Sequence, residues 1–282
     1  MRLLVCNLGD NASINMRDRL LEASDPAWEP TGETFRAGPV RRRGDDLLVD
    51  IEGPAIHDEA LTDDIEAAGW APDAVWFLSR HRAASGQPSL TVHPMGNHDA
   101  AQYGGQPRSC ATSAPRDMGA LLRRLAHHAE ARGLEHGVTY EATHHGPLML
   151  QPSLFVEIGS DEAWYDDRPS AEVHAQAMLD VLDGRDGGGA PEEGAPVLLG
   201  VGGGHYVPQQ TTKALAGEAD FGHLVAAYGL PPDDPEACFG VLDRVWAATP
   251  GASGVYLHKK GLKGPQRQIV RDWCEARGVE LV

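Results

Sequence analysis

Residues Ala74-Val75-Trp76-Phe77-Leu78-Ser79-Arg80-His81 form an apolar strand pattern that ends in polar side chains. The same pattern recurs along the chain, and helix-like segments separate its copies. Strands are predicted at Leu3–Asn7, Leu47–Ile51, Ala74–Ser79, Ser89–His93, Val138–Thr143, Leu154–Ile158, Val197–Val201 and Gly254–Leu257. Helices are predicted at Asn11–Ala23, His57–Ala68, Arg116–Arg132, Ser170–Leu182, Pro235–Ala248 and Pro265–Arg277. This alternation predicts an α/β fold with a mostly parallel, mixed central sheet flanked by helices.

Polar or glycine-rich segments follow five of these predicted strands. They are Ser79-Arg80-His81, His93 with Gly96-Asn97, Thr143-His144-His145-Gly146-Pro147, Gly159-Ser160, and Gly202-Gly203-Gly204-His205-Tyr206. Ligands of open α/β sheets bind beyond the carboxyl ends of the strands. If the strands are parallel, these segments therefore line one polar pocket.

Glu157 is a carboxylate inside an apolar strand, where it shares a face with Phe155, opposite Leu154, Val156 and Ile158. A buried carboxylate must be paired, protonated or bound to a metal. Glu157 is therefore predicted either to serve the pocket or to form a structural ion pair with an arginine.

The chemistry of the pocket has two interpretations. Imidazole and carboxylate groups are ligands of zinc, although no short motif such as HExxH is present, so a metal site would combine distant segments. Without metal, a histidine can act as general base while Asn97 or the Gly202–Gly204 N–H groups stabilise an oxyanion. The glycine run can equally be only a tight turn. The candidate catalytic residues are His81, His93, Asn97, His144, His145, Glu157 and His205.

The charge distribution is uneven. The chain has 41 acidic and 24 basic residues, a net charge of −17, and its bases include only four lysines. An acid-rich, lysine-poor surface is typical of proteins that work in molar salt. Between Gly251 and Arg271 there is no acidic residue. This stretch is predicted to be either a solvated face or a phosphate-binding surface formed by Lys259, Lys260, Lys263 and Arg267.

The 282 residues predict a single α/β domain over residues 1–282, with a flexible acidic loop at 183–196 and a basic C-terminal segment at 254–277. No apolar run reaches the length of a membrane-spanning helix. Four cysteines without a CxxC pair favour free thiols in a reducing cytoplasm. A monomer without an obligate protein partner is expected. Arg123 and Arg124 are predicted on the solvated face of their helix.

The motifs at residues 79–93 with Gly96-Asn97, 143–147, 157–160 with Trp164, and 200–206 together resemble those of the archaeal- and plant-type D-aminoacyl-tRNA deacylases. The resemblance covers nearly the whole chain. It implies an enzyme that hydrolyses the ester between a D-amino acid and the 3′ end of tRNA. It also implies a fold similar to peptidyl-tRNA hydrolase and to nucleoside-phosphorylase-like proteins.

The resemblance further implies zinc, possibly two ions, held by a subset of His81, His93, His145, Glu157 and His205. On this interpretation, the tRNA substrate is contacted by Gly202, Gly203, Gly204, Tyr206, Lys259, Lys260, Lys263 and Arg267. Two alternatives remain. One is a metal-dependent hydrolase or phosphorylase of a free small molecule, which needs no RNA-binding surface. The other is a non-catalytic tRNA-binding module, which would show no turnover.

Overall fold

The computed structural model describes residues 1–36, 38–185 and 194–282. The strands are β1 (Arg2–Asn7), β2 (Glu29–Phe35), β3 (Gly38–Arg43), β4 (Asp46–Ile51), β5 (Ala74–Arg82), β6 (Ser89–His93), β7 (Gly96–Asn97), β8 (Ser109–Cys110), β9 (Gly137–Tyr140), β10 (Ser153–Ser160), β11 (Val197–Val201), β12 (Asp220–Val225), β13 (Ala252–Leu257) and β14 (Glu280–Leu281). The α-helices are α1 (Asn11–Ala23), α2 (Leu61–Ala67), α3 (Pro115–Ala131), α4 (Glu162–Tyr165), α5 (Arg168–Leu182), α6 (Pro208–Leu215), α7 (Pro235–Ala247) and α8 (Gly264–Arg277). Most of the predicted acidic loop, residues 186–193, lies outside the described residues.

Within the described residues, eight strands form a larger sheet in the order β2-β3-β4-β1-β5-β10-β6-β9. Its centre is parallel, because β4, β1, β5 and β10 all run in one direction. A smaller, fully parallel sheet has the order β12-β11-β13-β14. The predicted α/β class with a mostly parallel, mixed central sheet is confirmed.

Three strands run against this central direction. β3 pairs antiparallel with β4. β6 pairs antiparallel with β10, and β9 pairs parallel with β6. The prediction that all five strand ends meet at one carboxyl edge is therefore wrong for β6 and β9. His93 still reaches Glu157, because it pairs with Phe155 in the middle of β10 rather than beyond its end.

The chain crosses from the larger sheet to the smaller one directly after β9. Glu141 forms an antiparallel bridge with Tyr206. The next N–H group, of Ala142, donates to the carbonyl of His205, which follows β11, at 2.7 Å. That of Thr143 donates to the carbonyl of Leu224 on β12 at 2.8 Å. The strand predicted to reach Thr143 therefore ends at Tyr140. This crossing is the structural reason that residues 141–145 lie next to His205.

The two faces of the larger sheet pack into different hydrophobic cores. One face, with Leu154, Val156 and Ile158, packs under α1, α3 and α5 in a core that also includes residues of β12. Phe77 and Phe155 belong to a second core on the opposite face. The predicted alternation around Glu157 is thus confirmed, and Glu157 lies on the Phe155 face.

The structure also contains elements that the sequence patterns did not predict. Among them are the β2–β3 hairpin, α4, α6 and β12. β2 is mostly exposed at the sheet edge, so it lacks the apolar alternation by which a strand is recognised. The helix predicted at His57–Ala68 is instead a 3₁₀ turn at Ala55–His57 followed by the shorter α2.

Arg123 and Arg124 on α3 are buried, so the prediction that they are solvated is wrong. Arg123 Nη1 lies 2.8 Å from Asp220 Oδ1 on β12 and donates to the Ala214 carbonyl on α6. Asp220 also accepts a hydrogen bond from Arg116 at 2.7 Å. This buried ion cluster connects α3 to the smaller sheet.

All four cysteines are free thiols, as the sequence predicts. In the described ranges, no helix combines the length and the apolar character that crossing a membrane requires.

Candidate active site

Packed aromatic rings lie beneath the site on the Phe155 face of the larger sheet. Phe77 and Phe155 stack with ring centroids 4.7 Å apart. His93 stacks on Phe155 at 5.4 Å, and the His145 ring stands edge-on to Phe155 at 4.9 Å. These contacts fix the imidazole planes, which limits the directions in which their nitrogens can point.

Glu157 lies between two histidines. Its Oε2 is 3.5 Å from His81 Nδ1 and 3.7 Å from His93 Nε2, and the residue is 2% exposed. The partners are therefore imidazoles, and the arginine ion pair considered as an alternative is not what the structure shows. His81 also shares a 3.0 Å hydrogen bond between its Nε2 and the Tyr206 hydroxyl.

Glu141 is a second buried carboxylate, which the sequence reasoning missed. It is 0% exposed, and its oxygens lie 2.8 Å from His205 Nε2, 3.1 Å from His81 Nδ1 and 3.6 Å from His144 Nε2. The signal that singled out Glu157, a carboxylate in an apolar strand, is also present here between Tyr140 and Ala142. The same criterion, applied to the strand that contains Tyr140, would have identified Glu141.

Backbone carbonyls fix the tautomers of three histidines. The Nδ1 atoms of His93, His144 and His145 donate to the carbonyls of Pro94, Ala142 and Gly146, at 3.1, 2.8 and 2.7 Å. A carbonyl only accepts, so in the neutral form Nε2 carries the lone pair. His145 also has a φ of +43°, a left-handed backbone that is uncommon outside glycine and concentrates at functional sites.

These side chains converge into one cluster. In the part of the chain that the structure describes, three overlapping groups place one ligand atom per residue within 4.8 Å of one another: His93-His144-His145, His81-Glu141-His205 and His93-Glu141-Glu157. We call the seven residues the His/Glu cluster: His81, His93, Glu141, His144, His145, Glu157 and His205. Six of them were predicted from sequence, and Glu141 is the addition.

Electrostatics separate the members of the cluster into charged and neutral groups. Burial lowers the pKa of His81, but the Glu141 and Glu157 carboxylates outweigh burial and raise that pKa to about 11. Burial favours a protonated Glu157, but His81 and His93 lower its pKa to about 2. Burial and the charge of His93 lower the pKa of His145 to about 4. A charged His81, an ionised Glu157 and a neutral His145 therefore lie within one pocket.

Most of the predicted oxyanion donors are already engaged. The N–H groups of Gly202 and Gly203 donate to the carbonyls of Val225 and Gly261, and both residues have positive φ. The Asn97 amide nitrogen donates to the carbonyls of Gly104 and Gln106. Asn97 thus holds the loop beside His144 and His145. An oxyanion role would require these hydrogen bonds to break.

Clefts adjoin the cluster in the part of the chain that the structure describes. The first, about 850 Å³ in volume, is lined by Asn97, Thr143, His144 and His145, and we call it the histidine cleft. The second, about 800 Å³, is lined by Gly203, Gly204, Tyr206, Lys260 and Lys263, and we call it the basic cleft. The predicted glycine turn and basic segment therefore belong to a surface next to the predicted histidines.

The four predicted basic residues differ in their environment. Lys259, Lys260 and Lys263 are exposed. Arg267 is half-buried, and its Nη1 donates to the carbonyls of Lys259 and Leu262 at 3.0 and 2.7 Å. Arg267 therefore holds the lysine segment in place, while the three lysines face solvent.

A cluster of histidines and carboxylates beside an open cleft, in an α/β fold, is the arrangement of an enzyme active site. A sequence profile described as D-aminoacyl-tRNA deacylase matches residues 68–282, which include every motif quoted above. The chain belongs to the D-aminoacyl-tRNA deacylase family, and the resemblance stated from its motifs is confirmed.

Individual relatives agree with the profile. The chain is 34% identical over 285 residues to a D-aminoacyl-tRNA deacylase of Pyrococcus horikoshii, covering 100% of this chain and 99% of the relative. It is 33% identical to a D-aminoacyl-tRNA deacylase of Methanosarcina acetivorans, covering 99% and 91%. A crystal structure titled as a conserved protein of unknown function, AF0625, superposes with a TM-score of 0.85 at 30% identity, covering 100% of this chain and 94% of that one.

Proposed function

We propose that this protein hydrolyses the ester bond of D-aminoacyl-tRNA, releasing the free D-amino acid and tRNA. The observation that carries this proposal is family membership together with the buried His/Glu cluster beside an exposed lysine segment. A small-molecule hydrolase or phosphorylase would not need that segment. A non-catalytic RNA-binding module would not need two buried carboxylates paired with imidazoles.

Zinc, which the family resemblance implies, fits the residues present. Among the described residues, His93 Nε2 and both Glu141 oxygens are buried without a hydrogen-bond partner. The Glu141 oxygens nevertheless lie close to imidazole nitrogens, as expected when the group between them is an ion rather than a proton. We infer that the ligands belong to the His/Glu cluster. A bound zinc ion would polarise the ester carbonyl and acidify a water molecule.

The residues of the chain supply the remaining chemistry. In hydrolysis, the water oxygen bonds to the carbonyl carbon, the bond to the ribose oxygen breaks, and that oxygen takes a proton. An imidazole lone pair of the cluster accepts the proton of the attacking water. His205 has 37% of its side chain exposed and His144 26%, so substrate meets these two cluster members first. The D isomer is selected if protein atoms lie against the Cα hydrogen of the bound D-aminoacyl group. An L-aminoacyl group would place its side chain at that position and clash.

The function is tested by comparing D-tyrosyl-tRNA with L-tyrosyl-tRNA in molar potassium chloride, with and without a strong chelator. We expect release of the amino acid from the D form only, lost on chelation and restored by zinc. Turnover that the chelator leaves unchanged would support the deacylase activity and would rule out a metal requirement. Equal rates on both isomers, or no release from a folded sample, would overturn the proposed function.

Charge reversal of the three exposed lysines is expected to raise the KM for D-aminoacyl-tRNA about tenfold, the order expected when roughly two phosphate contacts are lost. The variant is Lys259→Glu/Lys260→Glu/Lys263→Glu, measured at the lowest salt at which the protein stays folded. The effect should shrink as salt rises, because salt screens exposed charges. Lys213→Glu is the matched control, since Lys213 already pairs with Glu218. An unchanged KM in the triple variant would favour a small-molecule substrate.

Three further properties of the protein are proposed. We propose that the protein works in molar salt, on the basis of its net charge of −17 and four lysines. We also propose that it acts in the cytoplasm, as its free thiols and tRNA substrate suggest. A monomer is proposed as the working state, and sedimentation in molar salt tests it.

A further inference from the structure

Tyr228 lies where the two clefts meet. It lines both the histidine cleft and the basic cleft, and it is 64% exposed. Isolated exposed aromatic residues are common on protein surfaces, so exposure alone indicates nothing. The position is informative, because the ring is shared by the cleft that contains Lys260 and the cleft that contains His144.

The turn that carries Tyr228 is held rigidly. The Ala227 N–H donates to the Gly203 carbonyl at 2.9 Å. The Gln266 amide nitrogen donates to the carbonyls of Ala227 and Leu230, both at 2.7 Å. Gln266 is 3% exposed, and its Oε1 accepts the Lys263 N–H at 2.8 Å. One buried side chain therefore ties the turn to the lysine segment.

The turn also packs against His98, a half-buried histidine. A Cβ built on Gly229 would lie 2.7 Å from His98 Cδ2, so the backbone sits directly on that imidazole. His98 is not part of the His/Glu cluster, and burial followed by the charge of Arg244 lowers its pKa to about 4, so it stays neutral. An aromatic ring on a fixed backbone loses little conformational freedom when a ligand binds.

We propose that Tyr228 stacks against a nucleobase of the single-stranded 3′ end of tRNA, where that strand passes from the basic cleft into the histidine cleft. The inference rests on the proposed function and names the part of the substrate that this side chain recognises. Stacking tolerates any base, because every base has a π face, and one stacked base changes affinity by about 5- to 150-fold. In an acidic protein, such a contact adds affinity that salt does not screen.

The test uses deacylated tRNA with and without its three terminal CCA nucleotides, so that it does not depend on turnover. We expect Tyr228→Ala to raise the Kd for intact tRNA at least about tenfold, within the range for one stacked base. The same variant should leave the Kd for truncated tRNA unchanged. Tyr228→Phe retains the ring and should bind intact tRNA like the wild type.

Two further variants test whether the effect is specific to Tyr228. Leu150→Ala is the matched control, because Leu150 is 68% exposed but is not among the residues that line either cleft. Tyr103 is as exposed as Tyr228, at 64%, but lines only the histidine cleft. A CCA-dependent loss in Tyr103→Ala and not in Tyr228→Ala would overturn the proposal. So would an equal loss for both tRNAs, or wild-type binding by Tyr228→Ala.

The binding test of Tyr228 and the hydrolysis test of the proposed function can fail independently of each other. If the wild type fails to hydrolyse D-aminoacyl-tRNA, the proposed function fails, yet a CCA-dependent Kd difference would still support the stacking contact. If hydrolysis is D-specific but Tyr228→Ala binds intact tRNA normally, the function stands and the stacking role is wrong.

Discussion

Replacing Glu141 with glutamine is expected to lower kcat/KM for D-aminoacyl-tRNA at least about a hundredfold, the scale for losing an active-site acid–base group. Glu141 is fully buried and lies within 3.6 Å of nitrogens from His81, His144 and His205. An amide has the same shape but no negative charge, and its NH₂ group would face imidazole nitrogens. The three imidazoles would then lose the anion that positions them.

The measurement is steady-state hydrolysis of D-tyrosyl-tRNA, with circular dichroism to show that the variant is folded. Zinc content per chain provides a second readout, since Glu141 belongs to two of the three candidate ligand groups. Glu172→Gln is the matched control, because Glu172 pairs with Arg132 and Arg168 on the outer face of α5. Near-normal turnover by a folded Glu141→Gln protein would remove Glu141 from the active site.

Replacing Asp220 with asparagine is expected to reduce the free energy of unfolding by about 3–5 kcal/mol, the usual cost of breaking a buried ion pair. Asp220 is 1% exposed at its side chain, and its partner Arg123 is 4% exposed. The substitution keeps the shape of the side chain but leaves the guanidinium of Arg123 without its buried counter-charge. Since the pair is buried, molar salt should screen little of the effect.

Denaturant unfolding in molar potassium chloride measures this difference. Glu218→Gln is the control, because Glu218 forms an ion pair with Lys213 at the surface, where such pairs contribute about 0–1 kcal/mol. A loss below about 1 kcal/mol in Asp220→Asn would show that the ion cluster does not hold α3 to the smaller sheet. Both variants should leave the His/Glu cluster in place.

The sequence predicted six of the seven cluster residues because each lies next to a strand end or within a strand. Strand and helix patterns depend on neighbouring residues, so α1 and β6 were predicted at their observed bounds. β2 lacks that local signal, since it is polar and exposed at a sheet edge.

The sequence could not predict how individual polar groups are used. Asn97 and Arg267 are residue types that suit substrate contacts, yet their donors bind backbone carbonyls of their own loops. Arg123 looked solvated because the helix pattern shows only which residues share a face. Its counter-charge, Asp220, lies 97 residues away on another sheet.

By itself, the sequence determined the α/β class, the family, and the residue types available for ester hydrolysis, because periodicity and motifs are local properties of a chain. The tertiary structure decided strand direction, and with it how the site is assembled. β6 runs antiparallel to β10, so His93 meets Glu157 through cross-strand register, not at a shared carboxyl edge. The crossing after β9 brings Glu141 to His205. Register and crossing depend on contacts between distant segments, which only the folded chain fixes.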